Sequence, residues 1–550
     1  EMTMQRATDH LEDKPFDVIV IGGGISGAAV AYEAASRGLR TILFEKDDFC
    51  QATSAASSKL IHGGLRYLSN LEYGLVRESL RERRILSNIA PNFVYPCAML
   101  FPHYRRQLKS SKWLVKIGLT LYDLLAYDKG RTWDAGKRIP HHTTLSPGAT
   151  RRLQPVVRGA GLTGASLFYD CLSICPERLA LAFVKSALAQ GARAANYARV
   201  SGFVFDRAGS RIEGVTVQDR IHGKVHTVRG KVVLNCAGPW VDSVLDLSGR
   251  REISRPLRRS EGIHIITQPI IEDTCVVSAI TPAGRHCFLI PWRGHTLIGT
   301  TDEPYEGHPD DYRVTRRSIE ALIAEVNASF TGLAIRYEDV RHCYGGLRPL
   351  VATQTGETYR SSRRYEIHDH GSEGVPGLIT VEGGKWTTSR HLAQKVVDHL
   401  WAVTGLPIDR SLSERRYLEG CRIRDMGAFI RRIIRDNPDF EAATAAYLGR
   451  IYGTDHDRIL ALAREHRALA QPLNGQGDIL AQAVFAARHE MVYTLEDIVL
   501  RRTGIATLGN PGRTVLQQVA AAVAGDLGWD ADRIDREVHH TLATLEIPKA

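Results

Sequence analysis

The chain has 550 residues, too many for one ordinary core, and its 43% hydrophobic and 24% charged make-up is that of a globular protein with two or three structural units. Its formal net charge of +10 favours an anionic partner, such as an acidic substrate, an anionic lipid or a nucleic acid. The nine cysteines include no zinc-like pair, Cys171 and Cys175 being the nearest to one, so reduced thiols are expected and neither a disulfide framework nor a metal site is.

Glu1 to Lys14 is polar and lacks the apolar core of a secretory signal. No apolar run reaches the roughly 20 residues of a spanning helix, so any membrane association is expected to be peripheral. Phe16 to Ile21 reads as a buried parallel strand, Gly22 to Arg37 as a helix with small residues against the sheet, and Arg40 to Glu45 as the second strand of a βαβ unit. Between strand and helix stands Gly22-Gly23-Gly24-Ile25-Ser26-Gly27, a G-x-G-x-x-G fingerprint. Gly22 permits the tight turn, Gly24 lets the backbone approach a pyrophosphate, and Gly27 allows close helix packing. The unpaired N–H groups of the helix start face the phosphates, and Glu45 is placed to accept hydrogen bonds from an adenosine ribose.

Further along, Tyr104 to Trp133 sets Arg105, Arg106, Lys109, Lys112 and Lys116 beside Trp113, Leu114, Ile117, Leu121 and Leu124. Basic heads on an apolar, aromatic body suit an interfacial helix on anionic lipid, and equally a helix packed on the core. No recognition motif accompanies the bases, so nucleic acid is not expected as a partner. Alternating patterns in Ala198–Val217 and around Ile263–Thr300 predict an antiparallel sheet over the substrate. Lys231–Cys236 and Gly377–Val381 read as returns of the chain to the first sheet. After about Leu406 the pattern becomes helical and rich in Ala, Arg and Leu. The expected fold class is therefore α/β plus α: a Rossmann-like dinucleotide-binding domain interleaved with an antiparallel-sheet substrate domain over residues 1–406, then a C-terminal helical domain over 407–550.

An ordered series of segments goes further than the fingerprint. Ser57-Ser58-Lys59-Leu60-Ile61-His62-Gly63-Gly64-Leu65-Arg66-Tyr67-Leu68, Ile117-Gly118 with Tyr122-Asp123, Ala237-Gly238-Pro239-Trp240, Ile290-Pro291-Trp292, Ile298-Gly299-Thr300-Thr301-Asp302, Gly346-Leu347-Arg348-Pro349-Leu350 and Gly383-Gly384-Lys385-Trp386-Thr387-Thr388 closely resemble the FAD-dependent glycerol-3-phosphate dehydrogenases. The likeness reaches the C-terminal region at Tyr452-Gly453 and Glu496-Asp497. The resemblance implies FAD as cofactor, in keeping with the lack of a second glycine fingerprint for a nicotinamide nucleotide. It implies FAD contacts from Gly22, Gly24, Ser26, Gly27, Glu45, Thr53, Ser54, Ser58, Gly63, Gly64, Leu65, Ala237, Gly238, Trp240, Gly384, Lys385, Trp386 and Thr387. It implies a phosphate site of Arg66, Arg348, Arg363 and Lys385 with Tyr67 beside them, His264 as the active-site histidine, and Arg348 as a second catalytic group that orients the oxygen. The activity implied is oxidation of sn-glycerol 3-phosphate to dihydroxyacetone phosphate with quinone as acceptor. The setting implied is cytoplasmic, peripheral on the inner face of the cell membrane, with self-association into a homodimer compatible with it.

Two positions depart from the family pattern. Ser260-Glu261-Gly262 puts an acid where a base is common shortly before the histidine, and Ile174-Cys175-Pro176-Glu177 stands before Arg178-Leu179 where acids are usual. A carboxylate beside a phosphate weakens its binding unless it points away or pairs with a base. Another small polyol, an amine or an amino acid as substrate, with oxygen as acceptor, is the competing reading.

Overall fold

The computed structural model describes residues 2–105, 112–282, 284–330, 332–350 and 365–549. The first sheet forms around the Phe16–Ile21 strand, whose Val18, Ile19 and Val20 are fully buried. A strand covered on both faces needs this continuous β-branched run, and each such side chain contributes about 1.5–3 kcal/mol of burial. Thr41–Phe44 pairs parallel on one side and Val225–Asn235 on the other. Leu378–Gly383 extends the sheet in parallel beyond Val225–Asn235, so both late segments return to the first sheet as their sequences predict. Three helices, Ile25–Ser36, Pro176–Ala189 and Ser389–Thr404, pack together on one face, with Ala28, Ala29, Ala31 and Ala35 permitting their close approach.

The second sheet is largely antiparallel, in the order Glu303–Tyr305, Arg258–Thr267, His295–Gly299, His286–Trp292, Val276–Ile280, Val94–Tyr104, Leu162–Ser173 and Leu60–Ile61, with Val340–Leu350 also pairing along Arg258–Thr267. Its Ile263, Ile265, Leu289 and Ile298 bury one face against helix Arg316–Ser329. The chain crosses between the two sheets several times, so cofactor and substrate layers are interleaved. One expectation needs correcting. Ala198–Phe205 pairs with Ile212–Asp219, which in turn pairs with Val225–Asn235, so this hairpin extends the first sheet and is no part of the second. Alternation fixes that a strand is half buried; it carries no information on which sheet the strand joins.

Helices from Met426–Asp436 to Ala531–Thr544 follow, with a core of their own around Leu495, Ile498, Val519 and Val523. Within Tyr104–Trp133 the helical part is Lys112–Leu125; Arg106 and Lys109 lie outside the described residues.

Candidate active site

The glycine fingerprint closes the end of the first strand against the first helix, which runs Ile25–Ser36 with Gly24 as its N-cap and no side chain capping it. Beside Gly24 the space is open except for the Ser54 hydroxyl, which accepts from the Ile25 N–H at 2.9 Å. The Glu45 carboxylate accepts from Gly23 N–H at 2.7 Å and Asp47 N–H at 2.8 Å, and burial pushes its pKa up to about 7 against the pull of those two bonds. An acid held by two backbone donors suits ribose hydroxyls, whose donated hydrogen bonds favour its charged form. The N–H groups of the helix start beyond Ile25, an open glycine and this acid together fit the adenosine diphosphate half of FAD.

Segments around the expected flavin position are tied to one another. Trp386 Nε1 donates to the Ser54 carbonyl at 3.0 Å, Thr53 Oγ1 donates to the Leu347 carbonyl at 2.6 Å, and His62 N–H donates to Thr387 Oγ1 at 3.2 Å. Ala237 and Gly238 end the third parallel strand. Trp240 lies against Lys46, next to Glu45, with its indole N–H on Asp310. The Gly63 N–H is held by Tyr122 Oη at 2.9 Å, and Tyr122 donates to the buried Asp170, which also pairs with Arg83 at 2.6 Å.

Two of the expected phosphate residues, Arg66 and Lys385, form one group around Tyr67, whereas Arg348 makes its contacts elsewhere, at Thr300 and the Glu261 carbonyl. Arg66 donates to Tyr67 Oη at 2.9 Å and stacks over its ring, while Lys385 Nζ lies 4.6 Å from the same ring centroid and donates to Ser79 Oγ at 2.6 Å. Burial holds the Lys385 pKa below its ordinary value and Arg66 adds repulsion, against the pull of Tyr67, Glu78 and Glu72. An anion arriving between the two cations relieves both effects. Gly64 and Leu65 form the turn that delivers Arg66 and Tyr67. Arg363 lies outside the described residues.

His264 and Arg348 come from adjacent strands of the second sheet, where His264 faces Tyr344 and Ser260 faces Arg348 in register. The imidazole stacks on Tyr344 at 5.0 Å and lies flat over Gly299, where any Cβ would overlap the ring. The Arg348 guanidinium crosses Gly262 in the same way, donating to Thr300 Oγ1 at 2.9 Å and to the Glu261 carbonyl at 3.2 Å. Two glycines thus make room for the two candidate side chains. His264 Nε2 is 2.8 Å from Ser58 Oγ, and Nδ1 has no partner among the described residues. A buried orphan N–H is rarer than an orphan lone pair, which favours the tautomer with Nε2–H on Ser58. Burial, with Arg348 and Lys59 nearby, drops the His264 pKa well below its ordinary value, so the ring is neutral. Segment Thr53–Tyr67 runs from this group to the phosphate group and carries Ser58, Arg66 and Tyr67 on the way.

Neither departure sets an unpartnered carboxylate among these groups. Glu261 points to the opposite side of its strand from Ser260, Gly262 and His264, against Tyr312 and Ser318, where burial raises its pKa. Glu177 pairs with Lys59 at 2.8 Å, and Arg178 pairs with Glu490 of the C-terminal region. Sequence reading missed the roles of Ser58 on His264, Lys59 on Glu177 and Asp170 on Tyr122. Ser58, Lys59, Tyr122 and Glu177 stand in segments that the sequence singled out, but none of these pairings was legible, and a lone acid such as Asp170 in the Leu162–Ser173 strand has no recognisable spacing.

Comparison with known proteins agrees with this arrangement. The family of FAD-dependent oxidoreductases matches residues 17–398, and the C-terminal domain of alpha-glycerophosphate oxidase matches residues 378–534. The chain is 34% identical over 542 residues to the glycerol-3-phosphate dehydrogenase of Synechocystis sp., covering 96% of each chain. It is 30% identical to the aerobic glycerol-3-phosphate dehydrogenase of Staphylococcus saprophyticus, over 98% of this chain and 96% of that one. The solved glycerol-3-phosphate dehydrogenase of Bacillus halodurans, complexed with FAD, superposes with a TM-score of 0.76 at 27% identity, over 97% of this chain and 95% of that one.

Proposed function

This chain belongs to the family of FAD-dependent glycerol-3-phosphate dehydrogenases, and from that premise we propose that it oxidises sn-glycerol 3-phosphate to dihydroxyacetone phosphate and passes the electrons to quinone. The observation that carries the substrate is the pair of cations, Arg66 and Lys385, gathered around Tyr67 with the lysine depressed by burial. On this reading residues 1–406 are the interleaved cofactor and substrate layers and residues 407–550 a helical domain.

Bound FAD supplies the hydride acceptor. The chain's own residues do the rest. Arg66 and Lys385 bind the phosphate, the arginine through paired hydrogen bonds and the lysine as a compact charge. Arg348, fixed over Gly262 by Thr300 and the Glu261 carbonyl, holds the C2 oxygen. His264, neutral and with Nε2–H on Ser58, takes the C2 hydroxyl proton at Nδ1 as the hydrogen on C2 leaves with its electron pair. The direct test is anaerobic addition of sn-glycerol 3-phosphate to the flavin-loaded protein. Absorbance at ~450 nm should bleach, because the cofactor is reduced, and unphosphorylated glycerol at the same concentration should bleach it only slowly. An unbleached spectrum with both would sink the substrate.

Membrane association is the second half of the proposal. Helix Lys112–Leu125 buries only Leu119 and Tyr122, while Trp113, Ile117 and Leu124 are 70%, 67% and 66% exposed. It packs beside Leu65–Asn70 and Tyr73–Ile89, and Leu71 and Tyr127 are exposed nearby. No helix among the described residues is long and apolar enough to cross a membrane. This apolar face, with Lys112 and Lys116 on the same helix, supports a peripheral seat on anionic lipid at the inner face of the cell membrane. The double variant Ile117→Glu, Leu124→Glu should sediment no longer with anionic vesicles. It should lose most quinone reduction and keep its activity with a water-soluble electron acceptor. Unchanged sedimentation would remove this helix from the membrane contact.

A further inference from the structure

The C-terminal domain carries none of the proposed catalytic groups, yet it reaches the cofactor layer through a buried ion cluster. Asp48 stands three positions after Glu45 and is fully buried. Arg502 grips it with both terminal nitrogens at 2.8 Å, Arg501 Nε adds a third bond at 2.6 Å, and Asn196 Nδ2 a fourth at 2.9 Å. Burial works against the carboxylate, but Arg502 and Arg501 outweigh it and hold its pKa down to about 2. The two arginines end the wide-wound helical turn Asp497–Arg502 and are themselves fixed: Arg501 donates to Asp497, which accepts from Tyr197, and Arg502 donates to the Glu490 carbonyl.

From Asp48 the contacts run on to the phosphate-binding loop. Phe49 is buried against Gly23, and the Cys50 N–H donates to the Gly23 carbonyl at 3.0 Å. Gly23 in turn donates its N–H to Glu45 at 2.7 Å. An unbroken series of packed and hydrogen-bonded groups therefore leads from Arg501 and Arg502 through Asp48, Phe49 and Cys50 to Gly23 and the ribose-facing acid.

We infer that Arg501 and Arg502 are positioning residues for the cofactor: by clamping Asp48 they hold Gly23 and Glu45 in the geometry that retains FAD, so that FAD binding and the seating of the Asp497–Arg502 turn favour one another. The inference rests on FAD being the cofactor. Coupling of this kind is reciprocal. If the clamp improves FAD binding, then FAD must steady the clamp.

The test uses the full-length, FAD-stripped protein. Hydrogen exchange before and after FAD addition should show slowed amides at Asp497–Thr503 as well as at Gly22–Gly27. Arg501→Met leaves Arg502 on Asp48; it should raise the FAD Kd about tenfold with no further protection of Asp497–Thr503. Arg464→Ala, which removes an exposed pair with Asp439 in the same domain, should leave the Kd as in the parent. The melting temperature of each FAD-free variant is read alongside. A lowered melting temperature with an unchanged FAD Kd would make the arginines purely structural and overturn the proposal, as would FAD protection confined to Gly22–Gly27. A parent protein that binds no FAD overturns the cofactor reading itself, a result distinct from either.

Discussion

Replacing His264 with Gln should lower the rate of flavin reduction by sn-glycerol 3-phosphate by about 10²–10⁴-fold, the usual worth of a positioned general base. Glutamine can still bond Ser58 but cannot take a proton. The phosphate group around Tyr67 is untouched, so the substrate concentration giving half-maximal bleaching should change little. The pH dependence carries the sharper statement. A base works in its deprotonated form, and His264 is held well below its ordinary value by burial, Arg348 and Lys59. The acid limb of the wild-type profile should therefore fall below the ordinary histidine value near 6.5, and in His264→Gln that limb should vanish. Stability sets the lower bound of the measurement. His62 and His342 are also buried and pushed down to about 4. Each takes up its proton near 6.5 once unfolded, so the unfolded state binds more protons in this window and stability falls as pH drops from 6.5 toward 4. Stopped-flow bleaching at pH values where near-UV circular dichroism is unchanged separates the two effects. A rate in His264→Gln within threefold of the parent would leave proton removal to another group.

What the sequence could show followed how local each signal is. The βαβ unit and its glycines were legible because strand, turn and helix lie within about 30 residues, and the Phe16–Ile21 strand begins and ends as read. The two late strands were legible as parallel returns because they are short apolar runs ending in small residues. The Ala198–Phe205 hairpin was assigned to the wrong sheet, since half-burial gives the same alternation on either. At the site, side-chain identities came from motifs, but their orientation did not. Glu261 looked like a carboxylate beside the phosphate until its strand register turned it toward Tyr312. The partners that fix the site are distant in sequence. Ser58 meets His264, Lys59 meets Glu177, and Asp48 meets Arg501 and Arg502. No spacing rule joins such pairs; they exist only because the sheets are interleaved and the helical domain docks on both.

Lys385→Met should sharply weaken discrimination between phosphorylated and unphosphorylated substrate. Methionine keeps the length and apolar stem of the side chain and removes the charge, so Tyr67 stays packed. The lysine makes a hydrogen bond to Ser79 and a cation–π contact with Tyr67, both in place before any anion arrives. Its burial and its repulsion from Arg66 disfavour the charged form. A phosphate dianion relieves both effects, so the interaction is worth more than a surface pair. A charge-assisted hydrogen bond contributes about 1.5–3 kcal/mol, which corresponds to roughly 10–150-fold in binding at 1.4 kcal/mol per decade. The KM for sn-glycerol 3-phosphate should rise by that factor, while kcat at saturation falls less because His264 and Arg348 stay in place. With unphosphorylated glycerol the variant and parent should bleach at equal, slow rates. Arg66→Met should act in the same direction, and the double variant should lose less than the product of the two factors, since removing one cation relieves the other. Equal losses with glycerol and with its phosphate would place Lys385 on the flavin side of the site instead.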